Sequence, residues 1–196
     1  MRKLDAFLSA LIGFLDGIFF FFILKTAEVD IPYSWSLPIA LALLCWFGML
    51  IASWIGRKIA FLLQAAKFFL VGTLNTFIDL GVLNILILIS GIAVGIFYSI
   101  FKALSFLVAT INSYFWNKYW TFEKKERPTQ KEFFKFLIVT TIGLLINVSI
   151  ASLVVNIIGP QFGLGEKIWA SFGAIVAAFF AFVWNFLASK FIVFKK

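Results

Sequence analysis

The sequence predicts an all-α transmembrane protein, a six-helix bundle, and three observations predict it. Of the 196 residues, 63% are apolar and 13% charged, against about 45–50% and 25% in ordinary soluble domains. Six apolar runs approach the roughly 20 helical residues needed to cross about 30 Å of hydrocarbon. Lysine and arginine fall almost wholly on one side of those runs, the asymmetry that sets membrane orientation. A soluble fold of this length could not bury so much apolar surface.

The runs cover about 6–24, 36–56, 68–89, 96–117, 136–158 and 168–189. They lack the alternating polar residues of a membrane β-barrel, which leaves helices. The first run follows Arg2 and Lys3 as the core of a signal peptide would. Asp16 interrupts it, however, and no small-x-small cleavage site follows, so it is expected to be retained as a span. Asp16 lies between Gly13 and Gly17 and is expected either to pair within the protein or to be protonated. The second run holds the one cysteine, Cys45, which excludes a disulfide framework or CxxC site. Gly91 and Gly95 fall in the turn between the third and fourth runs. The sixth run offers Ala170, Ala174 and Ala178, a small-xxx-small face expected to pack closely on a neighbour. The four prolines lie in loops or near span ends.

Fourteen lysines and arginines lie at the chain termini or in the segments 57–67 and 118–135, two lie on the other side, and Lys102 lies within a span. Both termini are therefore expected to be cytoplasmic, in a multi-pass protein of the cell membrane. Placed this way, the net charge of +8 reads as a membrane-surface feature suited to anionic headgroups and not as a nucleic-acid footprint. Histidine is absent, which removes the usual general base and the commonest metal ligand. No nucleophile–base pair, metal-ligand set or GxxxxGK[ST] loop is present. The expectation is a non-enzyme without cofactor or metal, whose transport, if any, is not driven by its own ATP hydrolysis.

The chain also repeats itself. Lys67-Phe-Phe-Leu-Val-Gly-Thr-Leu aligns with Lys135-Phe-Leu-Ile-Val-Thr-Thr-Ile at an offset of 68, and Lys118-Tyr-Trp-Thr-Phe122 with Lys190-Phe-Ile-Val-Phe194 at an offset of 72. Residues 67–122 and 135–194 thus read as two copies of one helix pair, joined by a loop at 123–134 and preceded by a further helix pair at 1–66. Each copy has two spans, so both point the same way in the membrane. Internal repeats are common in transporters, with sites at the repeat interface.

An ionisable residue within a span costs roughly 2.5–3.5 kcal/mol on insertion scales, and three sit mid-span: Asp16, Asp79 and Lys102. In the third span Gly72, Asn75, Thr76 and Asp79 share one helical face. In the fourth, Lys102, Ser105, Ala109, Asn112, Ser113 and Trp116 form a second polar-to-small stripe. Two such faces on consecutive helices are expected to turn toward each other and line a polar crevice. Asp79 lies ten residues, and Lys102 six, from the outer end of its span. That places them about 6 Å apart in depth at 1.5 Å per residue, within a lysine's reach. The alternatives are interhelical hydrogen bonding without transport, or a Lys102 that snorkels outward. The second copy carries Thr140, Gly143, Leu144 and Asn147 at the corresponding stripe, with no charge.

Two motifs, Phe69-Leu-Val-Gly-Thr-Leu-Asn-Thr-Phe-Ile-Asp79 and Asn112-Ser-Tyr-Phe-Trp-Asn-Lys-Tyr-Trp-Thr-Phe122, resemble the GtrA-like family. The second resembles that family's Asn-Arg/Lys-x-Trp-x-Phe signature at the end of its second span. The resemblance covers residues 67–196, a four-span domain, and leaves 1–66 outside. It implies translocation of a polyprenyl-phosphate-linked sugar for cell-surface polysaccharide synthesis, beside a polyprenyl-phosphate glycosyltransferase. A non-transporting subunit that steadies such an enzyme through the loop 118–135, and a small helix-pair transporter of ions or amphiphiles, are the alternatives. The candidate substrate-binding residues are Asn75, Asp79, Lys102, Asn112, Asn117, Lys118 and Trp120. Lys118, Trp120 and Lys190 are placed at the cytoplasmic interface, where a lysine holds a lipid phosphate or simply anchors the helix. A four-span core is small for a complete path, which makes a homodimer plausible.

Overall fold

A computed structural model of the chain describes residues 1–26, 30–92, 94–163 and 165–195, except the side chains of residues 26, 166–168 and 171. The Lys167 side chain, Lys196 and parts of the three outer connections, all used in the topology above, lie outside the described residues. The regular structure described is helical throughout: α1 (Lys3–Thr26), a short turn at Ser34–Ser36, α2 (Leu37–Gly56), α3 (Ala60–Ser90), α4 (Gly95–Trp116), α5 (Gln130–Ser152) and α6 (Glu166–Ala188). All six helices are long and apolar enough to cross a membrane.

The helices run further than the apolar runs. α3 has 31 residues and starts at Ala60, because Leu, Gln, Ala and Lys are strong helix formers. Lys67 is thereby held within a helix and not in a connecting loop. Gly91 ends α3 in the left-handed conformation, at φ 69°, the usual C-terminal stop. α4, α5 and α6 each continue into a π-helical turn, at Asn117–Thr121, Leu153–Ile158 and Ser189–Val193.

The chain forms two compact units, residues 1–124 and 125–196. In the first, α1 packs along α2, both touch α3, and α3 pairs with α4. Gly13 and Gly17 let α1 and α2 meet backbone to backbone: a Cβ on Gly13 would lie 2.3 Å from the Leu41 carbonyl oxygen, and one on Gly17 2.4 Å from Pro38 Cα. Membrane helices associate through such close packing, since lipid tails remove the hydrophobic drive. Ile12, Met49, Leu70, Val71, Leu74 and Trp120 form the buried core there, so the N-terminal helix pair shares its core with the first repeat copy.

In the second unit α5 pairs with α6. Asn185 sits against Gly143, where a Cβ would come within 2.2 Å of its Oδ1. The Trp184 and Trp169 indoles donate to the Val139 and Val154 carbonyls at 3.0 and 2.9 Å. Ala170, Ala174 and Ala178, expected to form the packing face of α6, are exposed. The buried small residues are Gly173, Ala177 and Ala181, one position along, on the face that carries the buried Trp169. The spacing is the same on both stripes. The indole that must reach a carbonyl on the partner helix decides which one turns inward.

Corresponding positions of 67–122 and 135–194 make similar contacts. Phe68 and Phe122 lie 6.2 Å apart between ring centroids, and their counterparts Phe136 and Phe194 lie 5.9 Å apart. Both copies end in a π-turn, with Phe122 N donating to Asn117 O at 2.9 Å and Phe194 N to Ser189 O at 2.8 Å. Lys118 lies over Tyr114, and Lys190 over Phe186, each 5.9 Å from the ring centroid.

Candidate functional site between α3 and α4

Asp79 and Lys102 meet, as their depths predict. Lys102 Nζ donates to Asp79 Oδ2, and Ser105 Oγ donates to Asp79 Oδ1 at 2.5 Å. The pair is not sealed: the Lys102 side chain is 43% exposed and that of Asp79 21%. It is thus a salt bridge set in the apolar part of two spans and not enclosed by the protein.

The α4 stripe turns inward as expected, with Ser105, Ala109 and Ser113 buried. The α3 stripe does so only in part. Asn75 and Asp79 are half-buried, whereas Gly72 and Thr76 are exposed, and Thr76 Oγ1 donates back to Gly72 O at 3.1 Å. The physical reason is that α3 buries Leu70, Val71 and Leu74 in the shared core, which rotates Gly72 and Thr76 outward.

Three asparagines follow this pair toward the basic end of the unit. Asn75 Oδ1, Asn112 Nδ2 and Asn117 Oδ1 are buried without a hydrogen-bond partner among the described residues. Asn117 Nδ2 donates to Ser113 Oγ at 3.1 Å. Buried polar atoms are rarely left unsatisfied; these three leave hydrogen-bonding capacity unused, as do atoms of Asp16, Ser53, Thr121, Asn185 and Ser189.

Lys118 and Trp120 are turned into the protein: Lys118 is fully buried and Trp120 only 3% exposed. The π-turn rotates this segment inward, so that Lys118 packs over Tyr114 and the Trp120 indole donates to Asp5 Oδ1 at 2.9 Å.

That bond belongs to a charge cluster that the sequence did not disclose. Asp5 also accepts from Arg2 Nε and Nη2 at 2.8 and 3.0 Å and pairs with Lys67 Nζ at 2.8 Å. Glu123 lies 2.5 Å from Arg2 and 3.2 Å from Lys67. The Arg2 guanidinium, and after it Lys67, hold the Glu123 carboxyl below the ordinary glutamate range. Glu123 adopts φ 53°, a left-handed conformation uncommon outside glycine, at the residue where the chain leaves the π-turn. By charge alone Arg2 and Lys67 read only as positive charge at the membrane surface. The one local signal was the Arg2-x-x-Asp5 spacing at the start of a helix.

Asp16 is 3% exposed between the two glycines that bring α1 onto α2. Its Oδ1 has no hydrogen-bond partner among the described residues.

No curated protein and no solved structure matches the chain. A family model described as the GtrA/DPMS transmembrane domain matches residues 67–194. The match starts at the lysine that opens the first repeat copy and ends with the π-turn of the second, and it contains every residue of the α3–α4 site. The chain is a multi-pass membrane protein related to polyprenyl-phosphate sugars, and it belongs to the GtrA/DPMS transmembrane domain family.

Proposed function

We propose that the protein moves a polyprenyl-phosphate-linked sugar across the cytoplasmic membrane, for glycosylation of cell-surface polysaccharide, and has no catalytic activity of its own. The observation that carries this reading is the half-open Asp79–Lys102–Ser105 group inside the spans, followed by three asparagines with unsatisfied buried atoms. A phosphate is a strong acceptor, and Lys102 is a point charge that can pass from carboxylate to phosphate. The asparagine amides can meet sugar hydroxyls. The prenyl tail stays in lipid while only the head crosses between α3 and α4. Both termini are taken as cytoplasmic.

The exposed segment with Lys125 and Arg127 favours one second reading, a membrane subunit that docks a polyprenyl-phosphate glycosyltransferase without moving lipid. Reconstitution into vesicles with a leaflet-resolved assay of the lipid-linked sugar separates the two. Movement above that in protein-free vesicles supports the first. A stimulated co-reconstituted glycosyltransferase with no movement supports the second.

A further inference from the structure

At the basic end of the first unit, four N–H groups converge on one carboxylate, that of Asp5. They come from the Arg2 fork, the Lys67 ammonium and the Trp120 indole. A guanidinium fork, a point charge and a fixed N–H together suit a phosphate as well as a carboxylate. Lys67 and Asp5 are each 1% exposed, but Arg2 and Glu123, on the other side of the cluster, are about half exposed. The cluster is therefore reachable from that side.

Beside it lies an apolar groove of about 330 Å³, walled by Leu4 and Leu8 of α1 and by Phe115, Trp116, Tyr119 and Trp120 of α4 and its π-turn. Trp120 belongs to both: its ring lines the groove and its N–H reaches Asp5. The second repeat copy provides an internal comparison. At the offset of 72 the same four positions, Leu187, Ala188, Phe191 and Ile192, line a groove of about 470 Å³. There Ile192 replaces Trp120 and has no side-chain N–H, and Lys135, the counterpart of Lys67, is exposed. The groove recurs in both copies, while the donor cluster is found in the first.

We propose that Arg2, Lys67 and Trp120 form a binding site for the head of a single-chain lipid phosphate whose chain lies in the adjacent groove, and that Asp5 is a built-in competitor occupying that site until the phosphate displaces it. The kind of lipid rests on the function proposed above; the site and its competitor rest on the geometry. When the phosphate enters, the Asp5 carboxylate gives up the Arg2, Lys67 and Trp120 donors. Glu123 keeps the remaining positive charge balanced. The helix that carries Asp5 lies outside the family match, so this chain adds a gate of its own to the shared domain.

The test uses the full-length protein in detergent, with farnesyl phosphate, farnesol and inorganic phosphate as probes in binding titrations. Asp5→Asn is expected to bind farnesyl phosphate roughly tenfold tighter than wild type, the gain when a site open about a tenth of the time becomes fully open. Farnesol should show no such gain. Asp5→Asn/Lys67→Met, which removes both charges together, should fold and lose the gain. An Asp5→Asn protein that binds no tighter, a double variant that keeps the gain, or inorganic phosphate that gains as much as farnesyl phosphate would overturn the proposal. A photoreactive prenyl phosphate supplies a reading on wild type without any variant. Label on Leu4, Leu8, Phe115 or Tyr119 supports the site, and label confined to other residues overturns it. Tighter binding by Asp5→Asn with no leaflet movement in vesicles would contradict the transport reading alone. Movement without the binding gain would contradict this proposal alone.

Discussion

A carboxylate in an apolar span must find donors, and the chain solves this differently at Asp79, Asp5 and Asp16. Asp79 takes Lys102 and Ser105 and stays partly open. Asp5 takes four N–H groups and is closed. Asp16 leaves one oxygen without a partner. The first was legible from sequence because depth in a helix is simple arithmetic. The second was not, because it joins Arg2 to Glu123 across 121 positions, and no periodic pattern links them. Glu123 provides a pH test. Its folded pKa is lowered, chiefly by Arg2, so its stabilising contribution is present above the ordinary glutamate value of 4.5 and is lost as pH falls through the folded value. Below pH 4.5 the thermal midpoint of wild type in detergent should therefore fall more steeply than that of Glu123→Gln. Parallel curves for the two proteins would remove Glu123 from the cluster's energetics.

At the scale of the helix, small residues decide what packs where. Gly17 meets Pro38 of α2, whereas a Cβ on Gly48 would meet nothing within 4 Å. Gly17→Leu should therefore cost about 1–3 kcal/mol or more, the usual penalty of overpacking, and lower the thermal midpoint. Gly48→Leu should leave it nearly unchanged. Equal effects of the two would refute the close α1–α2 contact. The number, type and order of helices were readable from apolar run length. The rotation of each helix was less so. The α6 alanines at 170, 174 and 178 and the stripe at 173, 177 and 181 carry the same spacing signal, and only the reach of Trp169 to Val154 separates them. Likewise the π-turn that buries Lys118 and Trp120 leaves no mark in a hydropathy pattern, although its recurrence at Ser189–Val193 follows the repeat.

For the molecule as a whole, one repeated helix pair carries two different chemistries. At the shared positions the first copy has Asp79 and Lys102, and the second has Asn147 and Ala174. At these positions the charged residues are thereby confined to the first copy. The charge asymmetry predicts the sidedness: in a Cys45→Ala background, single cysteines in 25–35, 90–95 or 159–166 should react with an impermeant thiol reagent from outside, and those in 123–134 should not. External labelling of 123–134 would reverse the topology. The central claim, that Lys102 passes from Asp79 to the lipid phosphate, is tested most directly by leaflet-resolved movement of a polyprenyl-phosphate sugar in reconstituted vesicles. Wild type should move the lipid, and Asp79→Asn and Lys102→Met should each slow it about tenfold or more, the loss expected when a charge-assisted hydrogen bond is removed. The double variant, folded and free of unpaired charge at this point, should stay slow. Full movement by Lys102→Met, or recovery of movement in the double variant, would contradict the account.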